Sequence, residues 1–511
     1  MPTNVRTGAL AGIDGIEITA EVDLSRGLPG FYLVGLPAAE VRESRQRVVA
    51  ALRNSGLKVP PGRITVNLAP AGLRKEGASY DLAIALGVLA AGGGRGGGAL
   101  QRRRDDTVFL GELSLFGELK PVRGVLPIVT AAVAAGCRTA VVPTAQMGEA
   151  ALVQGVTVRG ADSLGQVAAW LRGEGDLARP SAAPTADAAD AARDLAAARL
   201  AALDGLALAR KAALIAVAGR HNLLLCGPPG SGKTRLARLI GDLQPDLAAP
   251  EALEVTRIHS AAGLLADGAL VRARPFRAPH HTTTRAGLVG GGGSLRPGEA
   301  TLAHLGVLFL DELPEFAPAA LDALREPLED GAVTVIRSYG RRVYPARFQL
   351  VAATNPCRCG LLGVAQRECR CAPGERRRYL GRLSGPLLDR CDLFVEVGPW
   401  AGELPRGVWG DGAEPPAPGR GGDWRRGASW QELAAAHRAL AEPPPLTAAA
   451  VHRLDDLGRR LGLSLRGATR CRRVAATIAV LDGLVRVEPR HVDEALEFRP
   501  AAAMAEAGPG V

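Results

Sequence analysis

The run Gly227-Pro228-Pro229-Gly230-Ser231-Gly232-Lys233-Thr234 has the spacing GxxxxGK[ST]. In such a loop glycines let backbone N–H groups curl around phosphate oxygens at a helix N-terminus. An ammonium then neutralises the β- and γ-oxygens, and a hydroxyl is offered to Mg²⁺. Lys233 and Thr234 fill those two roles. Lysine occurs elsewhere only at Lys58, Lys75, Lys120 and Lys211, in a chain otherwise cationic through arginine. A lysine kept against that bias is one to inspect.

A second group of polar residues follows apolar runs. The segment Gly306–Leu310 reads as a buried strand that delivers Asp311 and Glu312 to a sheet edge. An acid pair there suits a Mg²⁺-shell carboxylate, Asp311, and a water-polarising carboxylate, Glu312. The milder reading of Glu312 is an acid at a helix start. Asn355 ends the next apolar run, FQLVAATN, where its amide would orient the attacking water. Together these residues point to ATP with Mg²⁺, in a reaction driven by positioning and electrostatics.

Directly after Asn355 come Cys357, Cys359, Cys369 and Cys371. Four thiols in one loop suit structural Zn²⁺, although C-x-C is a less usual spacing than C-x-x-C; free thiols are the alternative. Arg358, Arg367 and Arg370 would make the same loop a basic knob. Adjacent His280 and His281 seldom direct both rings to one ion, and no third ligand has suitable spacing, so they are not expected to hold a metal.

Residues 332–348 alternate about a Ser-Tyr-Gly turn and read as a β-hairpin. Arg337, Arg341, Arg342 and Arg347 would follow a phosphate backbone, with Tyr339 at the tip to wedge or stack. A solvated charged hairpin is the bland alternative.

These groups need a scaffold. At 511 residues, 47% hydrophobic and 22% charged, the chain has material for several globular domains and is too apolar for wholesale disorder. Aromatics are only 4%, so cores are expected to be built from Ala, Leu and Val. A net charge of +10 suits a polyanionic partner. No apolar run reaches the ~18–20 residues that span a bilayer, and the N-terminus lacks a signal-peptide core. The expected location is the cytoplasm, with reduced cysteines and no membrane partner.

The pattern divides into an α+β domain over 1–172, a linker over 173–195 and an α/β core with a parallel sheet over 196–400. A Pro/Gly-rich linker over 401–427 and a helical segment over 428–511 complete the chain. The basic stretch 92–106 reads as a flexible loop.

The strings GPPGSGKT, RPFRAPHHTTTRAGLVGGG, LAHLGVLFLDELPEF, VAATNPCRCG and RRYLGRLSGPLLDRCDLF resemble the magnesium-chelatase-like AAA+ ATPases of the YifB/ComM family. That resemblance implies a homohexameric ring that hydrolyses ATP and moves on single-stranded or branched DNA, as in branch migration during recombination or natural transformation. It makes the 332–348 hairpin a pre-sensor hairpin pointing into the pore, and it makes the string with His280 and His281 an insertion within the AAA+ core, where the histidines order a loop or contact a neighbour. Arg390 matches the arginine finger that reaches a neighbour's γ-phosphate, a surface or salt-bridging arginine being the alternative, and Arg466 matches the lid arginine called sensor 2. The Pro/Gly-rich stretch before the lid departs from the family. Residues 8–172 resemble its Lon-protease-like domain in ribosomal-protein-type fold. Ser79 falls near the nucleophile position, but Leu126 stands where a protease would carry lysine, so no protease activity is expected. The alternative client is a protein, for a remodeller or chelatase-type motor subunit. A nucleotide-binding module without turnover is a third class.

Overall fold

The computed structural model describes residues 2–35, 38–72, 75–92, 105–180, 188–203, 206–265, 268–292, 295–337, 340–364, 367–398 and 423–499. The chain forms two compact units. One takes in Met1–Thr185 and Ala249–Val271, the other Ala186–Ala248 and Arg272–Val511. The segment 249–271, which the sequence pattern placed in the α/β core, therefore packs with the first unit.

The first unit is built on strands β1 (Thr3–Ala11), β2 (Asp14–Ser25), β3 (Gly30–Val34), β4 (Arg63–Ala69), β5 (Thr107–Phe109), β6 (Glu112–Leu113), β7 (Leu119–Lys120), β8 (Thr139–Pro143) and β9 (Thr157–Ala161). All but β6 and β7 form one mixed sheet in the order β3-β4-β2-β1-β5-β8-β9. Alternation along β2 and β4 turns Ile18, Ala20, Val22, Val66 and Leu68 inward. Against them lies the helix Asp81–Gly92, whose run from Asp81 to Val88 is wholly buried. Asp81 is tolerated there because Arg47 Nε bonds it at 2.6 Å and the Leu113 N–H donates to it at 3.3 Å.

The helix Val125–Ala134 starts on a buried acid. Glu149 Oε1 accepts from the Leu126 N–H at 2.9 Å, answering one of the donors a helix start leaves free, and Ser260 donates to the same oxygen. Ser260 belongs to the helix Ala249–Ala262, which buries Ala252, Val255 and Ile258. Burial pushes the Glu149 carboxyl above its ordinary range despite those hydrogen bonds.

The second unit holds strands β10 (Leu223–Cys226), β11 (Phe276–Arg277), β12 (Val307–Leu310), β13 (Ala332–Arg337), β14 (Gly340–Pro345), β15 (Gln349–Thr354) and β16 (Leu393–Glu396). Five of them make a parallel sheet in the order β11-β12-β15-β10-β16. Every residue of β10, β12 and β15 is buried, as expected of a parallel sheet covered on both faces. Each fully buried Leu or Val contributes about 1.5–3 kcal/mol. Ala212, Ala216 and Val217 of the helix Ala207–Gly219 join one core with Leu433, Val474 and Ile478 of the C-terminal helices and with Phe498, which follows the last of them. That core is Ala-, Leu- and Val-rich, in line with the composition.

Among the described residues no helix is long and apolar enough to cross a membrane.

Candidate nucleotide site

Strands β12, β15 and β10 are neighbours, and all three run the same way. Their C-terminal ends therefore deliver Asp311, Asn355 and Gly227 side by side, the edge at which open α/β sheets bind ligands. After β10 the chain turns through Gly230 (φ 78°) and Gly232 (φ 87°), conformations that favour glycine, into the helix Lys233–Asp242. The backbone thus wraps back over the helix N-terminus.

Lys233 Nζ donates to the carbonyls of Gly227 (2.7 Å) and Pro228 (2.8 Å) and to Asn355 Oδ1 (3.2 Å). Burial lowers the pKa of that ammonium, while Asp311, Cys226 and Glu312 oppose the shift. Thr234 Oγ1 donates to Asp311 Oδ2 at 2.7 Å. The hydroxyl and carboxylate expected to share a Mg²⁺ shell are thus already paired. Ser231 is buried, and its hydroxyl has no hydrogen-bond partner among the described residues.

Glu312 sits at φ 51° and ψ 47°, a left-handed conformation uncommon for a non-glycine residue, and its N–H donates to Asp311 Oδ1 at 2.9 Å. Its side chain meets His281: Nδ1 lies 3.3 Å from Oε2. His280 packs ring against ring on His281, with centroids 4.1 Å apart. Sequence reasoning gave the histidines the role of ordering a loop or contacting a neighbour and missed this partner. The signal is the register. Phe276 of β11 pairs with Val307 of β12, so the chains leaving both strands emerge together.

The four-thiol loop adjoins the phosphate loop. Gly360 (φ 75°) lies so close to Pro229 that an added Cβ would stand 2.4 Å from Pro229 Cδ, and a side chain there would displace the P-loop. The four sulfurs lie within 4.8 Å of one another. Cys357 Sγ is 3.4 Å from Cys359 Sγ and 3.6 Å from Cys369 Sγ. A tetrahedral site with ~2.3 Å Zn–S bonds needs sulfurs about 3.8 Å apart, so the donor set fits a metal of that kind. The Leu361 N–H holds the Cys359 thiol down at about 6, whereas burial pushes Cys357 up to about 11.

Arg390 and Arg466 converge on one acid. Both guanidiniums meet Glu329, Arg466 Nη2 at 3.1 Å and Arg390 Nη2 on the same oxygen, Oε1. The Arg390 side chain is only 9% exposed and that of Arg466 is 65% exposed.

Strands β13 and β14 form the expected hairpin, with Ile336 opposite Arg341 and Val335 opposite Arg342. Neighbouring strand residues face opposite ways. Arg341 therefore shares the outward face with exposed Ile336 and Val343, while Arg342 lies on the face of buried Val335 and Tyr344. Arg347 follows the hairpin and is exposed. Tyr339 and the Arg337 side chain lie outside the described residues. The sequence reading stressed the arginines and overlooked the apolar pair between them. In the first unit Ser79 Oγ is buried and donates to the Gly8 carbonyl at 3.0 Å, and Leu126 is buried.

A parallel sheet with a phosphate loop on one strand, an acid pair two strands away and a polar residue on the strand between defines a P-loop core of AAA+ type. Residues 199–403 match the family Magnesium chelatase, subunit ChlI. Residues 20–146 match Subunit ChlI of Mg-chelatase, and 423–499 match the ChlI C-terminal family. The chain is 40% identical over 510 residues to YifB of Escherichia coli, covering 97% of this chain and 96% of that one. It is 39% identical over 516 residues to the competence protein ComM of Haemophilus influenzae, covering 97% of each. A stretch of 148 residues, 27% of this chain and 25% of the other, is 33% identical to Lon protease 2 of Bacillus subtilis. The chain belongs to the YifB/ComM family of magnesium-chelatase-like proteins, a family of AAA+-type motors.

Proposed function

We propose that this protein hydrolyses ATP with Mg²⁺ and uses the energy to move DNA, as a branch-migration motor in recombination or uptake of DNA. The carrying observation is the convergence of Lys233, the Thr234–Asp311 pair, Asn355 and Glu312 at one sheet edge. In this reading Lys233 and the P-loop N–H groups bind the phosphates, Thr234 and Asp311 hold Mg²⁺, Glu312 polarises water and Asn355 orients it. Arg390 completes the site of a neighbouring subunit in a homohexameric ring, and Arg466 of the helical lid reaches its own nucleotide. Cys357, Cys359, Cys369 and Cys371 hold Zn²⁺, which staples the loop beside Pro229. The first unit is a Lon-like scaffold without peptidase activity, because Leu126 stands where a protease would carry the lysine that activates Ser79. DNA as the client is supported by the outward face of the hairpin, where Arg341 adjoins Ile336 and Val343, and by the likeness to a competence protein.

The test is the ATPase rate without DNA and with single-stranded, duplex and four-way-junction DNA. Stimulation greatest on the junction, with migration of its branch point, is the expected result. Turnover indifferent to every DNA would sink the DNA client and favour a protein client, the reading suggested by the match to a chelatase motor subunit. Mixing Arg390→Ala with Glu312→Gln subunits should restore partial turnover through mixed interfaces; no recovery at any ratio would remove the trans role.

A further inference from the structure

The two arginines above share one acid. Glu329 is the penultimate residue of the short helix Arg325–Asp330, and Gly331 leads from that helix into β13. The helix is fastened to the hairpin, since Glu326 Oε1 accepts from the Thr334 N–H at 3.0 Å and the Gly331 carbonyl accepts from the Ala346 N–H at 2.7 Å. Arg390 is fastened elsewhere. Its carbonyl accepts from Asn222 Nδ2 at 2.8 Å, directly before the strand that leads into the phosphate loop. Arg466 rides on the C-terminal helix Leu465–Leu481. One carboxylate thus joins the hairpin base, the P-loop strand and the C-terminal helices.

The arrangement is poised to break. Both guanidiniums draw on Oε1, so two cations share one carboxylate oxygen instead of each having an acid of its own. One negative charge faces two positive ones. Arg390 Nε is buried without a hydrogen-bond partner among the described residues, so a donor of its fork still awaits an acceptor. A γ-phosphate, with more charge and three oxygens, outbids such a carboxylate.

We infer that Glu329 is a positioning residue that holds Arg390 and Arg466 in the resting subunit and surrenders both to phosphate, so that nucleotide engagement frees the helix at the base of the hairpin. This rests on the proposed roles of Arg390 and Arg466 in ATP turnover. DNA pulling on the hairpin would release the same contacts from the other side, which is how the client would stimulate hydrolysis.

The experiment compares full-length wild type with Glu329→Gln, which keeps the shape and removes the charge. DNA-free kcat should rise by about threefold or more, because the resting pairing no longer competes, and the ratio of DNA-stimulated to DNA-free rate should contract correspondingly. Adding Arg390→Ala should erase the gain. A DNA-free kcat at or below wild type, with the melting temperature unchanged, overturns the inference. Should Glu329→Gln melt early, Glu329→Asp supplies the reading. Its shorter arm cannot span both arginines, so a partial rise is expected, and a rate at or below wild type counts against Glu329. Wild type that lacks ATPase, or whose ATPase ignores Arg390→Ala, defeats the underlying reading as well. Arg390-dependent ATPase that is unchanged by Glu329→Gln defeats the Glu329 role alone.

Discussion

His281 Nδ1 stands 3.3 Å from Glu312 Oε2, which puts an imidazole from the chain after β11 on the acid at the end of β12. A carboxylate that must aim at water gains from a partner fixing its rotamer, because misplacement costs rate more than affinity.

His281→Ala should therefore lower kcat for ATP by about tenfold with KM within about twofold, the signature of an interaction used in the transition state. Glu312→Gln should bind ATP and turn over far more slowly still, whereas Lys233→Ala should lose nucleotide binding itself. Steady-state kinetics and nucleotide-binding titrations check the three. Equal turnover by wild type and Glu312→Gln would sink the assignment of the acid.

Purified reduced protein should carry about one zinc per chain by elemental analysis, held by the four thiolates. Cys357→Ser should lose the metal. Because Gly360 of that loop abuts Pro229, metal loss should also weaken ATP binding by loosening the P-loop. Metal-free protein with normal nucleotide affinity would separate the two sites.

Arg341→Ala should lower the salt slope of DNA binding by about one, as expected for a lost phosphate contact, while Arg342→Ala on the packed face should change it little. Binding isotherms over a range of salt concentrations decide this. Equal slopes for both variants would mean that strand register does not select the contacts.

Two buried acids should respond to pH with opposite sign. Burial works against the Asp392 carboxylate, yet His221, Arg473 and the Asn222 N–H outweigh it and hold its pKa below the ordinary 3.8. A depressed acid stabilises the fold above its unfolded value and loses that contribution as pH falls through the folded value. Asp392→Asn should cost about 1–3 kcal/mol near pH 7, and the difference should close below pH 3.8. Glu149 is raised above 4.5 by burial, so its folded state loses stability as pH rises from 4.5 through the higher folded value. Glu149→Gln should thus compare best with wild type at neutral pH and lose ground on acidification. Denaturation curves at several pH values test both signs.

The candidate nucleotide site was largely legible as a pattern because its information is local: a glycine-rich turn between strand and helix, and polar residues ending apolar strands, need no knowledge of the fold to be picked out. The four-thiol loop and the hairpin were legible for the same reason. What escaped depends on pairing between distant segments. His281 gains meaning only once β11 is known to lie beside β12, and Glu329 only once two arginines far along the chain converge on it. The separation of Arg341 from Arg342 needed the strand register, since adjacent residues look equivalent in a sequence. The placement of 249–271 was illegible because an amphipathic helix does not announce which core it will enter.

The helix Ala249–Ala262 gives that last feature a practical meaning for dissection and for inheritance. A fragment ending near residue 185 would leave the buried Glu149 without the hydroxyl of Ser260. One beginning near 186 would carry Ala252, Val255 and Ile258 with nothing from the first unit to cover them. Neither fragment would keep all of its buried groups covered, so recombination at the linker is expected to yield two damaged pieces.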